Sequence, residues 1–573
     1  MNVTFIFIIA AVYLLINYTI NVLKNGIDRR LLIISILMGL YFTFVSVLGA
    51  YYEGVSKGME YAEVLNFTFN NLKISLKYIP ALWFLFLGCI FFIYIQVPKM
   101  YNNYIKSYDN YTEMPKIFNK LYKIWLFIFI CWLPYFILLY PGYMSPDASW
   151  QIEQVFSGQF NTHHPVFTTL YMFFIPIYYK ISNNGILTLA LYVLFFQMLP
   201  LSFIYAYMIN KLDNLFNVNK IVVVFMILFV SFYPVNPIVS ITIEKGILFL
   251  IFLILFLLKI IEIVENKELL KNKKSMIEFI IIGALLCFTR NNVIYGLFFS
   301  AIIMLIFLKQ YRKNIFLIFI CICAVFFISN GIILKVTGAF KGEFRESMSM
   351  PIQQMARVYK YHKDTLNENN IKFIEKMMHK KEALNNYTPK LSDSVKYDTD
   401  SNFFKTKEFI YGYFKLGFKY PGTYLNSFVI MLSPILYPFN NSLWREGLFM
   451  LTPGVKTLNI NNEAYFKHKN KLISNYLSKT QTLVRKNNSM ASFVLVNQGF
   501  LFYSLLLSFI YFIYIKLYKY CIVLLIPLGY ICTLALGPII FFRYTYFLTA
   551  LVPILIMMFT NKNNNILLNK TEK

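Results

Sequence analysis

The sequence predicts an all-α membrane protein whose chain crosses the bilayer many times. Hydrophobic residues make up 58% of the 573 positions and charged residues only 14%, which is far from the composition of soluble globular proteins. Many apolar runs approach or exceed the ~20 residues that a helix needs to span a bilayer. The formal net charge is +27, and much of it lies in short loops between the apolar runs, as in the cytoplasmic loops of membrane proteins.

About thirteen apolar segments are candidate transmembrane helices. The first has no basic region before it and no small-residue cleavage site, so we expect a retained helix rather than a cleaved signal peptide. The segments are residues 3–23, 31–51, 78–97, 123–141, 185–209, 221–240, 246–264, 275–289, 293–308, 315–335, 498–515, 521–541 and 543–560.

The charges of the loops predict the orientation of these segments. The basic stretches are residues 24–30, 99–123, 211–220, 267–274, 309–313, 516–519 and 562–573. If all of them face the cytoplasm, the N-terminus and the loop 142–164 lie outside the membrane. This orientation requires that residues 165–179 do not cross. That stretch is only about fifteen residues long and is broken by Pro176, which suits an interfacial or re-entrant helix.

Four regions follow from this topology. Residues 1–122 hold N-terminal transmembrane helices and a cytoplasmic loop, and residues 123–336 form the transmembrane module that carries the candidate site. Residues 337–495, rich in Lys, Asn, Tyr and Asp, are expected to form a mostly α extracytoplasmic domain. Residues 496–573 hold C-terminal transmembrane helices and a basic cytoplasmic tail. The apolar stretch 423–437 is interrupted by proline, so we expect it to pack in the domain or lie on the membrane.

The cysteines are predicted to be small hydrophobic core residues. All seven lie inside apolar runs, and none has a spacing typical of a metal or redox motif, so we expect no structural disulfide. They are Cys89, Cys131, Cys287, Cys321, Cys323, Cys521 and Cys532.

Ionisable groups gather at the outer surface in this topology. Charged groups at helix ends can simply extend to the membrane interface. Five clusters on one side instead indicate a substrate site, because ionisable groups at membrane depth usually mark one. The clusters are Asp147 with Glu153, His163-His164-Pro165, Glu244-Lys245, Arg290-Asn291-Asn292 and Arg543-Tyr544.

Asp147 is the strongest candidate for chemistry among these residues. It follows Pro146 at the start of a predicted short helix over residues 148–156. As the helix N-cap it would have a structural role, for which Asp is favoured. As a general base it would face the membrane surface, and the two roles are compatible.

The histidines and the basic residues complete the candidate site. His163 and His164 could bind a metal ion together with a carboxylate, but adjacent histidines on a helix point in different directions, which favours positioning or a hydrogen bond to a phosphate. Lys245, Arg290 and Arg543 suit an anionic headgroup, since Arg makes bidentate contacts to phosphate. No Walker, dinucleotide-binding or zinc-protease motif occurs.

The order of these motifs resembles the GT-C superfamily, which comprises multi-pass membrane glycosyltransferases that use polyprenyl-phosphate sugars. Within it, the chain resembles the protein O-mannosyltransferase-like enzymes and, more narrowly, an uncharacterised Gram-positive bacterial branch. The resemblance covers roughly residues 120–560. The pattern runs Tyr140-Pro141-Gly142 to Asp147, His164-Pro165, Lys245 with Phe249, Arg290-Asn291-Asn292, Pro351-Ile352-Gln353-Gln354 and Arg543-Tyr544.

The resemblance implies transfer of a sugar from a polyprenyl-phosphate donor to an extracytoplasmic acceptor, which could be a cell-wall polymer, a glycolipid or a protein. The site would face outward from the bacterial cytoplasmic membrane, and no nucleic acid partner is expected. A divalent metal ion is a possible cofactor, with Asp147 and His163 as candidate ligands. The implied catalytic residues are Asp147 as general base, Glu244 and His164, and the implied phosphate-binding residues are Lys245, Arg290, Asn291, Arg543 and Tyr544.

The chain departs from the GT-C-like pattern at one position. The family tends to show Lys-Asp where this chain has Lys245-Gly246, with Glu244 just before. Either Glu244 replaces that carboxylate from a neighbouring position, or a second acidic group is missing.

Two other functions stay open at this stage. A transporter or flippase of a lipid-linked saccharide could line its path with the same charges, although the paired repeats and broken helices frequent in transporters are not evident. A purely structural envelope protein is the third interpretation.

Overall fold

The computed structural model describes residues 115–436, Leu458 and residues 498–561. In this part of the chain the only sheet is a pair of two-residue strands, β1 (Tyr143–Met144) and β2 (Thr242–Ile243), and helices form the rest of the framework. The all-α fold class is thus confirmed for the described residues. The predicted spans 3–23, 31–51 and 78–97 lie outside them.

The first half of the described chain forms a helical bundle around one hydrophobic core. Its elements are α1 (Leu121–Leu138), α2 (Pro146–Ser157), α3 (Val166–Leu170), α4 (Phe174–Ser182), α5 (Gly185–Tyr192), a π-helical turn (Val193–Met198), α6 (Leu199–Phe216), α7 (Lys220–Phe232), α8 (Val235–Ser240), α9 (Gly246–Glu265), α10 (Lys273–Cys287), α11 (Val293–Phe307) and α12 (Arg312–Thr337).

The second half adds a smaller helical unit and then returns to the bundle. Its helices are α13 (Ser349–His362), α14 (Glu368–Glu375), α15 (Asp393–Lys396), α16 (Lys407–Lys419), α17 (Pro421–Leu436), α18 (Gln498–Tyr514), α19 (Tyr518–Leu534), α20 (Phe542–Thr545) and α21 (Phe547–Phe559). Short 3-10 turns occupy Tyr171–Phe173, Lys267–Leu270, Lys309–Tyr311, Phe344–Met348, Lys363–Thr365, Lys381–Asn386 and Phe403–Lys405.

Five helical stretches in the described residues are long and apolar enough to cross a membrane. They are Leu121–Leu138, Gly185–Phe216, Gly246–Glu265, Lys309–Thr337 and Phe542–Phe559. Lys220–Phe232, Val293–Phe307, Leu501–Tyr514 and Tyr518–Leu534 are apolar but shorter. By the length and composition of these helices, the chain is a membrane protein. The sequence predicted ten transmembrane segments within the described residues, and five of the helical stretches there meet the criteria for a span.

Prolines explain the shortest of these helices. The predicted span 221–240 is divided into α7 and α8, because Pro234 forces Tyr233 out of the helical region, to φ −69° and ψ 110°. The stretch after His164 is likewise divided into α3, a 3-10 turn and α4, and it is not among the five candidate spans.

The helix α9 lies at the centre of the bundle, where it packs against α6, α10 and α19. One group of polar side chains inside the bundle forms its own hydrogen bonds. Tyr546 donates a hydrogen bond to the Asn236 side-chain oxygen at 2.7 Å, and Tyr205 contacts both residues. In a membrane, packing and such hydrogen bonds hold helices together, because lipid tails remove the hydrophobic driving force.

A second hydrophobic core lies between residues 344 and 424, and we call this part the second unit. Its axis is α13, whose Gln353 donates hydrogen bonds to the carbonyls of Thr388 and Pro389, at 2.7 and 3.0 Å. Gln354 donates to the carbonyl of Tyr424 at 3.2 Å. The Pro351-Ile352-Gln353-Gln354 motif therefore ties the second unit together from inside. The stretch 423–437, as far as it is described, packs as α17 against α13 and α18.

All six cysteines among the described residues are free thiols. Cys287 and Cys521 are buried, as expected of core residues. Cys532 is exposed on α19, so the prediction of a core position is wrong there.

Candidate functional site

A two-residue parallel ladder creates the candidate site. Tyr143 pairs with Thr242 and Met144 with Ile243, so both strands end at the same edge. Asp147 follows one strand, in the first turn of α2, and Lys245 follows the other, immediately before α9. The approach is so close that a Cβ at Gly142, where φ is +111°, would lie 2.5 Å from the carbonyl oxygen of Ile241. Only glycine fits such a position.

Asp147 does not cap its helix, so the N-cap interpretation is wrong. The cap is Ser145, whose side-chain oxygen accepts a hydrogen bond from the backbone N–H of Ala148 at 3.2 Å. The helix begins at Pro146, because proline suits the first helical position and leaves the preceding residue as the cap. The Asp147 carboxylate is therefore available for contacts with other elements.

Asp147 forms ion pairs with two basic residues from distant parts of the chain. Its Oδ2 lies 2.9 Å from Nζ of Lys245 and 3.5 Å from Nη2 of Arg543. The carboxylate side chain is 23% exposed, whereas Lys245 is 9% and Arg543 10% exposed. A partly accessible carboxylate thus lies in front of two buried cations.

Arg290 and Glu244 extend this cluster. Nη2 of Arg290 lies 3.7 Å from Oε1 of Glu244 and donates a hydrogen bond to the backbone carbonyl of Arg543 at 3.4 Å. The guanidinium carbon lies 5.0 Å from the ring centre of Phe249 and 4.9 Å from that of Tyr544. The two rings hold the guanidinium in place from different elements, as cation–π contacts do.

Gly246 has a close relation to Glu244. A Cβ at position 246 would lie 2.8 Å from Oε1 of Glu244 and 3.1 Å from Nη2 of Arg290. The Glu244 carboxylate therefore lies where a side chain at position 246 would begin. This geometry is compatible with a carboxylate that reaches the same place from two positions earlier in the chain.

His164 contacts Lys245, and His163 contacts a different charged partner. Nδ1 of His164 lies 2.7 Å from Nζ of Lys245, so a charged lysine requires that this ring nitrogen accept the hydrogen bond. Nδ1 of His163 lies 3.7 Å from Oε2 of Glu346 in the second unit. The two rings nevertheless lie side by side, with their centres 4.6 Å apart. The expectation that adjacent histidines on a helix point in different directions therefore does not apply, because both residues precede α3.

Charge and burial set the protonation states in the cluster. Burial alone would raise the pKa of Asp147, but the positive charges of Lys245 and Arg543 outweigh it and hold that pKa well below its ordinary value. Burial, reinforced by the charge of Lys245, lowers the pKa of His164 well below its ordinary range. Asp147 is therefore ionised and His164 neutral near pH 7.

The pKa values of Glu244 and Lys245 shift in the directions that burial usually causes. Burial raises the pKa of Glu244, although Arg543 and Arg290 oppose it. Burial lowers the pKa of Lys245, although the Asp147 carboxylate opposes it. In both residues the opposite charges of the cluster therefore act against the effect of burial.

The cluster carries more positive than negative charge. Lys245, Arg290 and Arg543 face two carboxylates, and Glu244 holds its proton more readily than usual. The buried Nε atoms of Arg290 and Arg543 have no hydrogen-bond acceptor among the described residues. Buried donors without acceptors cost free energy, so the arrangement favours an anionic ligand that supplies acceptor oxygens.

A resident divalent metal ion does not suit these residues. No group of three His, Cys, Asp or Glu side chains in the described part of the chain could hold one. The two candidate ligands also face different partners, because Asp147 contacts Lys245 and Arg543 and His163 faces Glu346. A doubly charged cation beside Asp147 would meet repulsion from the basic residues already there.

The asparagines after Arg290 hold neighbouring elements rather than the cluster. The Asn291 amide donates to the backbone carbonyl of His163 at 3.3 Å, and the Asn292 amide donates to Oγ1 of Thr533 at 2.8 Å. Asn291 thus fixes the loop that carries the histidines. Glu153 lies six residues beyond Asp147 on α2, about 9 Å further along the helix axis.

Two further residues support the site without having been singled out in the sequence. Gln197 is fully buried in the π-helical turn; its amide nitrogen donates to the carbonyl of Thr242 at 2.7 Å and its oxygen accepts from the N–H of Glu244 at 3.3 Å. Trp150 contacts both histidine rings, at centroid distances of 5.3 and 5.8 Å. The sequence does contain a signal for Gln197, because a single glutamine inside an apolar run is costly unless it has a specific role.

The comparisons with known proteins identify a family. A family model described as "Family of unknown function (DUF6020)" matches residues 157–573. The match contains every basic residue of the cluster and begins ten residues after Asp147. No curated protein and no solved structure matches the chain.

Proposed function

This chain belongs to the DUF6020 family, and we propose that it is a membrane glycosyltransferase. It would transfer a sugar from a polyprenyl-phosphate donor to an extracytoplasmic acceptor such as a cell-wall polymer, a glycolipid or a protein. The observation that carries the proposal is the cluster at the ends of β1 and β2. There a partly exposed carboxylate, Asp147, adjoins buried cations whose donors are not fully used.

The proposed reaction assigns the carboxylate to the acceptor hydroxyl and the cations to the donor phosphate. The acceptor hydroxyl oxygen forms a bond to the anomeric carbon, and its proton passes to Asp147. The bond between that carbon and the phosphate oxygen breaks, and its electron pair leaves with the polyprenyl phosphate. Arg543, Arg290 and Lys245 stabilise the negative charge of this leaving group.

The same cations hold Asp147 in its ionised form and bind the donor phosphate in this proposal. Lys245 and Arg543 contact a single carboxylate oxygen, at 2.9 and 3.5 Å. A phosphate that shares these cations weakens their effect on the carboxylate, so the pKa of Asp147 rises when the donor binds. Donor binding thereby makes Asp147 a better proton acceptor at the step that requires one.

Glu244 and His164 have supporting roles in this mechanism. Glu244 orients Arg290, with which it pairs at 3.7 Å, and occupies the space beside Gly246. His164 accepts a hydrogen bond from Lys245 and leaves the remaining donors of the ammonium group for Asp147 and for phosphate. A neutral imidazole suits this position, because a charged one would repel Lys245.

The proposed location is the outer face of the bacterial cytoplasmic membrane, with about thirteen crossings and the second unit outside. The loop charges support this orientation. In this topology α3 and α4 lie at the interface, and the donor enters laterally from the outer leaflet.

The position of the cluster favours a transferase over a flippase. All its ion pairs lie at the N-terminal end of α9, a helix of 20 residues that is about 30 Å long. A carrier for a lipid-linked saccharide would be expected to place polar groups near the membrane midplane. In the described residues the centre of α9, from Ile247 to Leu258, is apolar.

The direct test uses the purified full-length chain in lipid nanodiscs with a panel of polyprenyl-phosphate sugars and an acceptor extract. We expect release of polyprenyl phosphate that depends on both donor and acceptor. The control omits the acceptor. If no donor supports release, and the protein instead moves the intact lipid-linked saccharide across vesicles, the flippase is correct and the transferase is wrong.

Moving the second carboxylate tests the relation between Glu244 and Gly246. We expect Glu244→Ala to lower transfer by roughly 10- to 100-fold, which corresponds to the ~1–3 kcal/mol that an unpaired buried polar group costs, because Arg290 loses its carboxylate partner. We expect a loss of similar size for Gly246→Asp, because a Cβ there would lie 2.8 Å from Oε1 of Glu244. The double variant should recover most of the activity, because one carboxylate again faces Arg290.

The matched control is Gly331→Ala on α12, where an added Cβ meets open space. The activity of all four variants is measured as the release of polyprenyl phosphate in the same nanodiscs. If the double variant is no more active than the two single ones, the two positions are not equivalent.

A further inference from the structure

The helix α16 of the second unit has one face that packs and one that does not. Phe409 and Leu416 are buried in the second core. Gly412 lies on the same side, and a Cβ there would come within 2.3 Å of the Phe373 ring, so α16 lies tightly against the unit. Thr406 caps the helix by accepting a hydrogen bond from the N–H of Phe409. The helix is thus firmly placed by its inner face.

The outer face of α16 is apolar and exposed. It carries Ile410, Tyr411, Phe414 and Phe418, which we call the aromatic face. Phe418 is 84% exposed and Tyr411 70%. Residues 410, 414 and 418 are spaced by four, so they form a single stripe along the helix. Leu425 on α17, seven residues further, is also exposed.

Lysines border the aromatic face. Lys407 lies in the first turn of α16, and Lys415 and Lys419 lie in its second half. Nζ of Lys415 is 5.7 Å from the ring centre of Tyr411, and Nζ of Lys419 is 5.4 Å from that of Tyr420. Exposed aromatic residues with lysines beside them are typical of helices that lie in the interface of a membrane.

The next helix connects α16 to the transmembrane bundle. A single residue, Tyr420, separates α16 from α17. Tyr424 of α17 belongs to the core of the second unit, whereas Ile435 of the same helix belongs to the core of the bundle. Eleven residues of helix measure about 16 Å, so a short helical connection joins the second unit to the bundle that carries the candidate spans.

We propose that the aromatic face of α16 inserts into the surface of the lipid bilayer and that its lysines prefer anionic lipid headgroups. The apolar side chains enter the boundary between headgroups and acyl chains, while the ammonium groups remain at the level of the phosphates. Charge complementarity and the short connection through α17 favour lipid over a protein partner or a second copy of the chain. The proposal does not depend on the transferase chemistry.

The test places a photoreactive phenylalanine analogue, p-benzoylphenylalanine, at position 418 of the full-length protein. The protein is reconstituted in nanodiscs of phosphatidylcholine with and without phosphatidylglycerol, and adducts are identified by mass spectrometry. The control carries the analogue at Glu368, an exposed residue on α14 of the same unit. We expect lipid adducts at position 418 in roughly tenfold excess over position 368, with a higher yield when phosphatidylglycerol is present.

A second position and a charge variant keep the result interpretable. The analogue at Phe414 repeats the measurement should position 418 not tolerate it. Replacing Lys407, Lys415 and Lys419 by glutamine should remove the gain from phosphatidylglycerol and leave the yield in phosphatidylcholine alone unchanged. Equal, low lipid yields at 414, 418 and 368 would overturn the proposal, and so would adducts that join position 418 to another protein or to a second copy.

Discussion

Replacing Asp147 by asparagine is expected to lower sugar transfer by roughly 10²–10⁴-fold, the usual contribution of a general base, with the fold intact. Asparagine keeps the size and a hydrogen-bond acceptor for Lys245, but it cannot take the proton of the acceptor hydroxyl. The helix start is preserved because Ser145, not Asp147, is the cap. Release of polyprenyl phosphate at saturating donor measures the effect, and binding of donor to the variant checks that the site is formed.

The pH dependence of the wild type adds a second readout. A carboxylate whose pKa is depressed takes up its proton only at lower pH. The acid limb of kcat/KM, which reports the free enzyme, should therefore lie below the ordinary titration range of Asp. The acid limb of kcat, which reports the donor complex, should lie at higher pH, because the phosphate then shares Lys245 and Arg543.

Glu153→Gln on the same helix is the matched control for Asp147→Asn. Full activity of the Asp147→Asn variant would remove this residue from the chemistry.

Replacing Arg543 by glutamine is expected to lower kcat by roughly 10²–10³-fold, as removal of one group that stabilises developing negative charge usually does. Arg543 contacts Asp147 and donates a hydrogen bond to the Tyr544 hydroxyl at 3.1 Å, so its planar group is fixed in direction. Arg543→Lys should recover only part of the activity, since lysine keeps the charge and loses the fork of donors.

Steady-state kinetics with varied donor concentration show whether the Arg543→Gln variant loses activity through a lower kcat or through a higher KM. Arg312→Gln, an exposed arginine at the start of α12, serves as the control. A variant with unchanged kcat and raised KM would show that Arg543 binds donor and transition state equally, which contradicts the proposed role in leaving-group stabilisation.

The members of the cluster could be predicted from the sequence because each is polar at the end of an apolar run. Asp147, Lys245 and Arg543 are separated by up to 396 positions, yet each has this local signal. Their pairing could not be predicted, because it depends on a ladder of two residues per strand, too short to show any periodicity. The sequence does indicate the N-cap of α2, because a proline at the first helical position leaves Ser145 as the cap.

Other features show where local patterns mislead. Residues 221–240 are continuous in hydropathy, but Pro234 divides them into two helices. Gln353 and Gln354 belong to a motif in the resemblance to transferases, whereas the structure uses both to tie α13 to its surroundings. Amide side chains satisfy buried carbonyls as readily as they bind substrates, so sequence alone does not separate the two uses.

The depth of the proposed reaction within the membrane is set by a single helix. The far end of α9 is tied to three neighbours: Lys259 pairs with Glu278 at 2.8 Å, Glu265 with Lys519 at 2.7 Å, and Glu262 with Lys211. Its near end carries Lys245 beside Asp147. A helix restrained at both ends cannot slide along the membrane normal. Bilayers thinner or thicker than its ~30 Å must therefore deform, or the whole protein must tilt, to keep the reacting phosphate level with the headgroups.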